Sequence, residues 1–579
     1  MAQDKLQKLE LAWIGKDEKR EAIEPRILIE DPKYSYGDTE SGNMLIHGDN
    51  LLALKALEQK YTNCIKCIYI DPPYNTGNAF EYYDDGVEHS IWLSLMFQRI
   101  SILYNLLAPD GAFCMQLDDE EVHYAKIICD EIFKRNNFIA TIAVKSSTPS
   151  GVKTAHRTKK IIKQKDFILV YKKSDALTIN PLYVKRETWD THYSLYLTKT
   201  DGRYNLQDLG HVLYEKGIYD YVPKIKELDI NDKKFKNFYI NHRNAICRLQ
   251  THKNVEAGKY SKEHMNEVVS YRSKDDNKDD LYYNGSVITP LSRGFQKVIW
   301  NRDITEDLGM LLCDFWSDID FQNTQNEGSV DFPTSKKPEA LIYRIISMFT
   351  EEGDYVLDSF LGSGTTAAVA QKMNRRYIGI ELGQHAYTHC FPRLVKVTSG
   401  TDQSGMTKSV HWKGGSGFKF YELAPSLLKE DKFGNLVINK EYNADMLAAA
   451  MAKQEGYTYQ PDSTLYWKQG QSSEHDYIYT TTQFLTVESL DAISETMQED
   501  ESLLICCTAF QKECTNHATR ITVKKIPQML LGRCEFNKDD YSLNIIDMPP
   551  LDLDEDPDTD FTEDEPTIED NKPVQGTLF

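Results

Sequence analysis

A chain of 579 residues is longer than one hydrophobic core organises, so two to four domains are expected. Hydrophobic residues at 41% and charged residues at 27% describe a folded globular protein and exclude a wholly disordered or fibrous one. The net charge of −21 weighs against a polyanionic partner until it is divided: residues 551–579 carry −10 and residues 141–300 carry +11, so the middle of the chain reads either as an electrostatic footprint for phosphates or as a solvated charged face.

Residues 1–40 are polar and read as a short helical extension with no apolar leader run. No stretch of eighteen apolar residues follows, so no membrane anchor and a cytoplasmic location are expected. MLIHGDN at 44–50 predicts a strand and turn, and LLALKALEQ continues as a helix. NCIKCIYIDPPYNTG is an apolar, β-branched run stopped by two prolines, the pattern of a buried parallel strand whose loop begins at Asp71. Cys64 and Cys67 within it form a CxxC, but no second Cys or His pair completes four ligands, and no metal is expected. The eleven cysteines show no disulfide framework. Helical spacing returns in IWLSLMFQRISILYNLLAP; GAFCMQL then predicts a strand and EEVHYAKIICDEIF a helix. This alternation predicts an α/β sheet over residues 41–140.

Between 141 and 330 the rhythm breaks into Lys, Arg, Tyr and Asn-rich segments, read as an inserted basic domain. A βαβ pattern resumes over 331–399 with KPEALIYRIISMFT, DYVLDSF, GSGTTAAVAQKM and RRYIGIEL. Residues 400–547 predict a further α/β domain, and 548–579 an acidic, disordered tail.

Two constellations carry chemistry. Asp71-Pro72-Pro73-Tyr74 follows a buried strand, where ligands of open α/β sheets bind. The four residues suit an ordinary turn; they also suit a flat amine-bearing base, since a carboxylate and a proline carbonyl accept hydrogen bonds beside an aromatic face. The second constellation is VLDSFLGSGTTAAVA, in which Gly362 and Gly364 stand between strand and helix and permit close ligand approach. Ala367 occupies the third-glycine position of a dinucleotide fingerprint, and GSGTT lacks the Lys-Ser/Thr pair of a phosphate-binding P-loop. Glu381, seventeen residues past Gly364 at the next strand end, is placed to accept from a ribose diol.

Together these motifs resemble the S-adenosylmethionine-dependent amino methyltransferases of DNA, whose FxGxG is here Phe360, Gly362 and Gly364. The order, with Asp71 preceding the glycine loop across a basic insertion, resembles the circularly permuted beta class. The resemblance implies a permuted Rossmann-like sheet with an inserted target-recognition domain and a C-terminal α/β domain. It implies S-adenosylmethionine as cofactor, held by Asp49, Asp358, Phe360, Gly362, Gly364, Thr365 and Glu381. FPTSKKPEAL resembles the Lys-Pro element near the methionine carboxylate; Lys337-Pro338 matches, with one residue more than the commonest form, which leaves Ser335, Lys336 and Lys337 open for that role. Asp71, Pro72, Pro73 and Tyr74 are the expected catalytic residues, with Tyr74 stacking on an adenine extruded from the duplex.

Within the class, YIDPPYNTGN followed by FEYYDD and the sizeable C-terminal domain resemble the modification subunit of type III restriction-modification systems. That implies double-stranded DNA as substrate, a homodimer, and a helicase-like restriction subunit as partner. Arg157, Lys159 and Lys160 are candidate phosphate contacts, with simple surface exposure as the alternative. Gln575, Leu578 and Phe579 resemble a sliding-clamp-binding peptide at the end of the acidic tail. The rival functions are N4-cytosine methylation and a non-catalytic DNA-binding defence component, with RNA or protein amide methylation as a third.

Overall fold

A computed structural model describes residues 11–16, 22–73, 85–148, 158, 161–251, 254–272, 279–321, 324–330, 332, 336–472, 475–539 and 541, with residues 85–88 described by backbone alone. Among these, no helix is long and apolar enough to cross a membrane.

The centre is an 11-stranded mixed sheet. Its strands are β1 (Leu28–Glu30), β2 (Tyr36–Gly37), β3 (Met44–His47), β4 (Ile65–Ile70), β5 (Leu107–Leu117), β6 (Phe138–Lys145), β7 (Lys165–Lys172), β8 (Phe315–Trp316), β9 (Tyr355–Asp358), β10 (Arg376–Glu381) and β11 (Gly417–Leu423). They lie in the order β1-β11-β3-β10-β9-β4-β5-β7-β6-β8, with β2 added to β11. From β11 to β5 the neighbours run parallel; β7 is antiparallel to both β5 and β6.

The β-branched run expected as a buried strand forms β4, and its pleat explains why both faces are apolar. Cys67 and Tyr69 face one hydrophobic cluster, and Ile68 and Ile70 face the other. Helices α1 (Asn50–Tyr61), α2 (Asp85–Leu106) and α3 (Val122–Cys129) supply side chains to the second cluster. Helices α4 (Glu339–Phe349), α5 (Thr365–Lys372) and α6 (Phe391–Thr398) supply the first. The result is the helix-sheet-helix layering that the alternating pattern predicts.

Composition and strand pairing divide the chain differently. Strands β7 and β8 lie within the basic stretch 141–330 yet pair inside the central sheet, so the separate sheet of that stretch is confined to six strands between Leu195 and Pro290. It packs over its own core, which includes Trp189, Phe235 and Tyr239. A small barrel of Tyr183–Lys185, Phe295–Trp300 and Asp303–Leu311 lies beside it in the chain. Likewise β11 belongs to the central sheet, and a separate five-stranded sheet begins only at Thr458. The chain then returns: the Tyr541 N–H donates to Asp49 Oδ2 at 3.0 Å, and the Tyr541 carbonyl accepts from Arg99.

Candidate active site

Strands β4 and β9 are hydrogen-bonded neighbours, with Val356 opposite Cys67 and Leu357 opposite Ile68. Residues almost three hundred positions apart therefore end at the same edge. Four successive strands deliver their loops there: β3 carries Asp49, β10 carries Glu381, β9 carries Asp358 and the glycine loop, and β4 carries Asp71.

The glycine loop is tied down at both sides. Leu361 N–H donates to the Ile380 carbonyl, and Gly362 N–H donates to Glu381 Oε2 at 2.7 Å. Asp358 accepts from Phe360 N–H at 2.9 Å and from Thr366 Oγ1 at 2.6 Å. Beneath the turn, Arg393 donates to Thr365 Oγ1 and to the Ser363 carbonyl. Arg393 is itself held by Glu339 Oε1 at 2.9 Å, and Glu339 also binds Lys372, all three side chains being fully buried.

Gly362 and Gly364 both have positive φ, at +56° and +80°, but for different surroundings. Among the described residues, a Cβ on Gly362 would meet only Phe332 Cζ at 3.9 Å, whereas one on Gly364 would come within 3.3 Å of Cys390 Cα. Gly362 thus leaves room above the loop, and Gly364 permits helix packing below it. That room, with the acceptor Glu381 beside it, fits the adenosyl cofactor expected there.

The site is rich in carboxylates. Burial first, then the charges of Asp71 and Glu381, pushes Asp358 up to about 7. Burial likewise raises Glu381, against the backbone donors of Gly362 and Gly383 and the charge of His47. Asp71 is answered by a cation: Lys337 Nζ lies 2.6 Å from Asp71 Oδ2, and both side chains are mostly buried. Behind it, Tyr69 donates to Gln116, which in turn donates to Asp166. Trp92 of α2 donates to the Pro73 carbonyl at 3.1 Å, and Pro72 is buried.

Of the residues left open for a methionine carboxylate, Lys336 is occupied elsewhere. Its buried ammonium donates to the carbonyls of Gln325, Glu327 and Val330. Lys337 alone of the two lysines reaches the site. Asp49 is the N-cap of α1, accepting from Leu52 N–H and from Tyr541 N–H. Tyr74, Ser335, Arg157, Lys159, Lys160, Gln575, Leu578 and Phe579 lie outside the described residues.

Sequence reasoning missed several contributors. Asn50 donates to the Ser359 carbonyl at 2.9 Å and accepts from Arg99, which ties α1 and α2 to the glycine loop. Its place beside the Asp49 cap was the available signal. In the insertion, Arg186 and Arg248 converge on Asp190 around a cavity of about 160 Å³ walled by Trp189 and Tyr193. The Arg248 guanidinium lies over the Tyr193 ring at 5.1 Å, and its Nε has no hydrogen-bond partner among the described residues.

In the parallel part of the sheet an acidic Pro-Pro loop stands beside a glycine loop, at the strand ends where open α/β sheets bind ligands. The DNA methylase profile matches residues 65–391, and the chain belongs to that family. It is 37% identical over 419 residues to the Probable type III restriction-modification enzyme HindVI Mod subunit of Haemophilus influenzae, covering 67% of this chain and 54% of that one. It is 23% identical over 519 residues to the type III restriction-modification enzyme EcoP15I Mod subunit of Escherichia coli, covering 76% and 74% respectively. The chain therefore spans about half the length of the first relative and about three quarters of the second. Among solved structures, it is similar to the M1.HpyAVI-SAM complex at 16% identity, covering 61% of this chain and 98% of that one with a TM-score of 0.28.

Proposed function

We propose that this chain transfers a methyl group from S-adenosylmethionine to N6 of an adenine in double-stranded DNA, as the modification and site-recognition subunit of a type III restriction-modification system. The observation that carries this reading is the pairing of β4 with β9, which sets Asp71 beside the loop of Gly362. Similarity to two proteins named as Mod subunits supports the type III assignment.

When bound, the cofactor supplies an electrophilic methyl sulfonium. Glu381 and the backbone around Gly362 hold its nucleoside, and Lys337 holds its carboxylate end. Asp71 and the Pro72 carbonyl accept the two hydrogens of the target amine, which turns the nitrogen lone pair toward the glycine loop. Tyr74 stacks on the extruded base. Holding the amine in line with the methyl group needs neither a covalent enzyme intermediate nor a nucleophilic cysteine. An aspartate at the head of the motif favours adenine over cytosine. The basic insertion contacts the duplex, and a second copy of the chain and a helicase-like restriction subunit complete the assembly.

Methylation-sensitive sequencing and nucleoside mass spectrometry of DNA from cells expressing this chain test the reading. N6-methyladenine at one short sequence is expected, and its loss in Asp71→Ala with folding retained. N4-methylcytosine in place of N6-methyladenine would correct the base, and unmodified DNA would overturn the reading. A pull-down with the replication clamp, with and without residues 575–579, tests the terminal peptide.

A further inference from the structure

Asp71 cannot serve the target amine fully while Lys337 occupies Oδ2. At 2.6 Å the two form a close ion pair between mostly buried side chains, and a base amine must compete with an ammonium for the same carboxylate. Lys336, the adjacent residue, is pinned by backbone carbonyls on the other side of the chain. That anchors the backbone at 336, so a change of partner at Lys337 requires its four-carbon stem to move and not the chain.

Resting on the methyl-transfer reading, we propose that Lys337 is a positioning residue that changes partner: it pairs with Asp71 when the cofactor is absent and with the carboxylate of the cofactor's amino-acid end when it is present. The hand-over opens Asp71 Oδ2 to the amine only in the loaded enzyme. Moving the ammonium from one carboxylate to another conserves the pairing, so the cost of stripping Asp71 is offset at the moment the cofactor arrives. The neighbouring buried acids Asp358 and Glu381 sharpen this, because separating Asp71 from Lys337 would place a third carboxylate without its cation at adjacent strand ends. Cofactor and flipped base then bind cooperatively, and by linkage each strengthens the other equally.

The test uses the full chain and two ligands: S-adenosylhomocysteine, which has the amino-acid end, and 5′-methylthioadenosine, which lacks it. Calorimetry of Lys337→Gln is expected to show roughly tenfold weaker binding of the first and unchanged binding of the second. Asp71→Asn, which releases Lys337 from the other side, is expected to bind S-adenosylhomocysteine several-fold more tightly. A duplex bearing the methylated sequence, with 2-aminopurine next to an intact target adenine, reports extrusion of the adenine through the probe's loss of stacking. In the wild-type chain its fluorescence is expected to rise with S-adenosylhomocysteine and not with methylthioadenosine; in Lys337→Gln it is expected to be high with neither ligand added. Equal fluorescence of the wild-type complex with and without S-adenosylhomocysteine would overturn the hand-over, as would unaltered S-adenosylhomocysteine affinity in both variants. Methylation of the unmodified duplex by the wild-type chain is measured alongside: its absence would count against the methyl-transfer reading itself, and its presence with unordered binding against the hand-over alone.

Discussion

Two glycines that look equivalent in the string GSG answer to different constraints. Both carry a positive φ, which costs an L-residue roughly 1–2 kcal/mol. Gly364→Ala adds a methyl within 3.3 Å of Cys390 Cα, a backbone atom that cannot swing aside, so it is expected to lower the melting temperature more than Gly362→Ala does. Gly362→Ala adds a methyl that among the described residues meets Phe332 alone, at 3.9 Å, and is expected to lose cofactor affinity well beyond its loss of stability. Thermal melts read against calorimetry separate the two; equal losses in both measurements would mean that Gly362 does not face the cofactor. The residue types at the site were legible because their chemistry is unusual: a carboxylate before two prolines, and glycines between strand and helix. Their pairings were not. Nothing in KKP distinguishes Lys336, which binds carbonyls, from Lys337, which binds Asp71, since only the direction of each side chain from the folded backbone decides it.

At the scale of elements, three helices are joined beneath the cofactor loop by one carboxylate. Glu339 opens α4, Lys372 closes α5 and Arg393 lies in α6, and the three are fully buried. Removing the carboxylate leaves buried cations short of a partner, which costs roughly 3–5 kcal/mol. Glu339→Gln is therefore expected to unfold at markedly lower urea, although Asp402 still pairs with Lys372. A midpoint within error of the wild type would show that the network is replaceable. The helices themselves were legible from periodicity, and so was β4 from its β-branched run. The pairing of β7 and β11 was not, because composition can mark a strand as apolar but does not say that its hydrogen bonds go to β5 or to β3.

For the whole molecule, the charge division survives as geometry. The six-stranded sheet belongs to the basic stretch, and Arg186 and Arg248 share a single carboxylate, leaving a net positive charge at the cavity beside Trp189 and Tyr193. Arg248→Ala is expected to weaken DNA binding and to flatten the plot of log affinity against log salt by about one unit if that cation meets a phosphate. An unchanged slope with altered sequence preference would instead mark Arg248 as a reader of bases.

The neighbouring of β4 and β9 also has a consequence in time. A ribosome delivers the Asp71 strand first, and its partner β9 emerges only after almost three hundred further residues. At ordinary elongation rates that interval lasts roughly 15–60 s. Meanwhile the basic insertion, which has a core of its own, is complete before the cofactor loop has been synthesised. The insertion can therefore fold while the edge that joins Asp71 to the glycine loop is still unpaired, and that edge is completed only by closing a loop of almost three hundred residues.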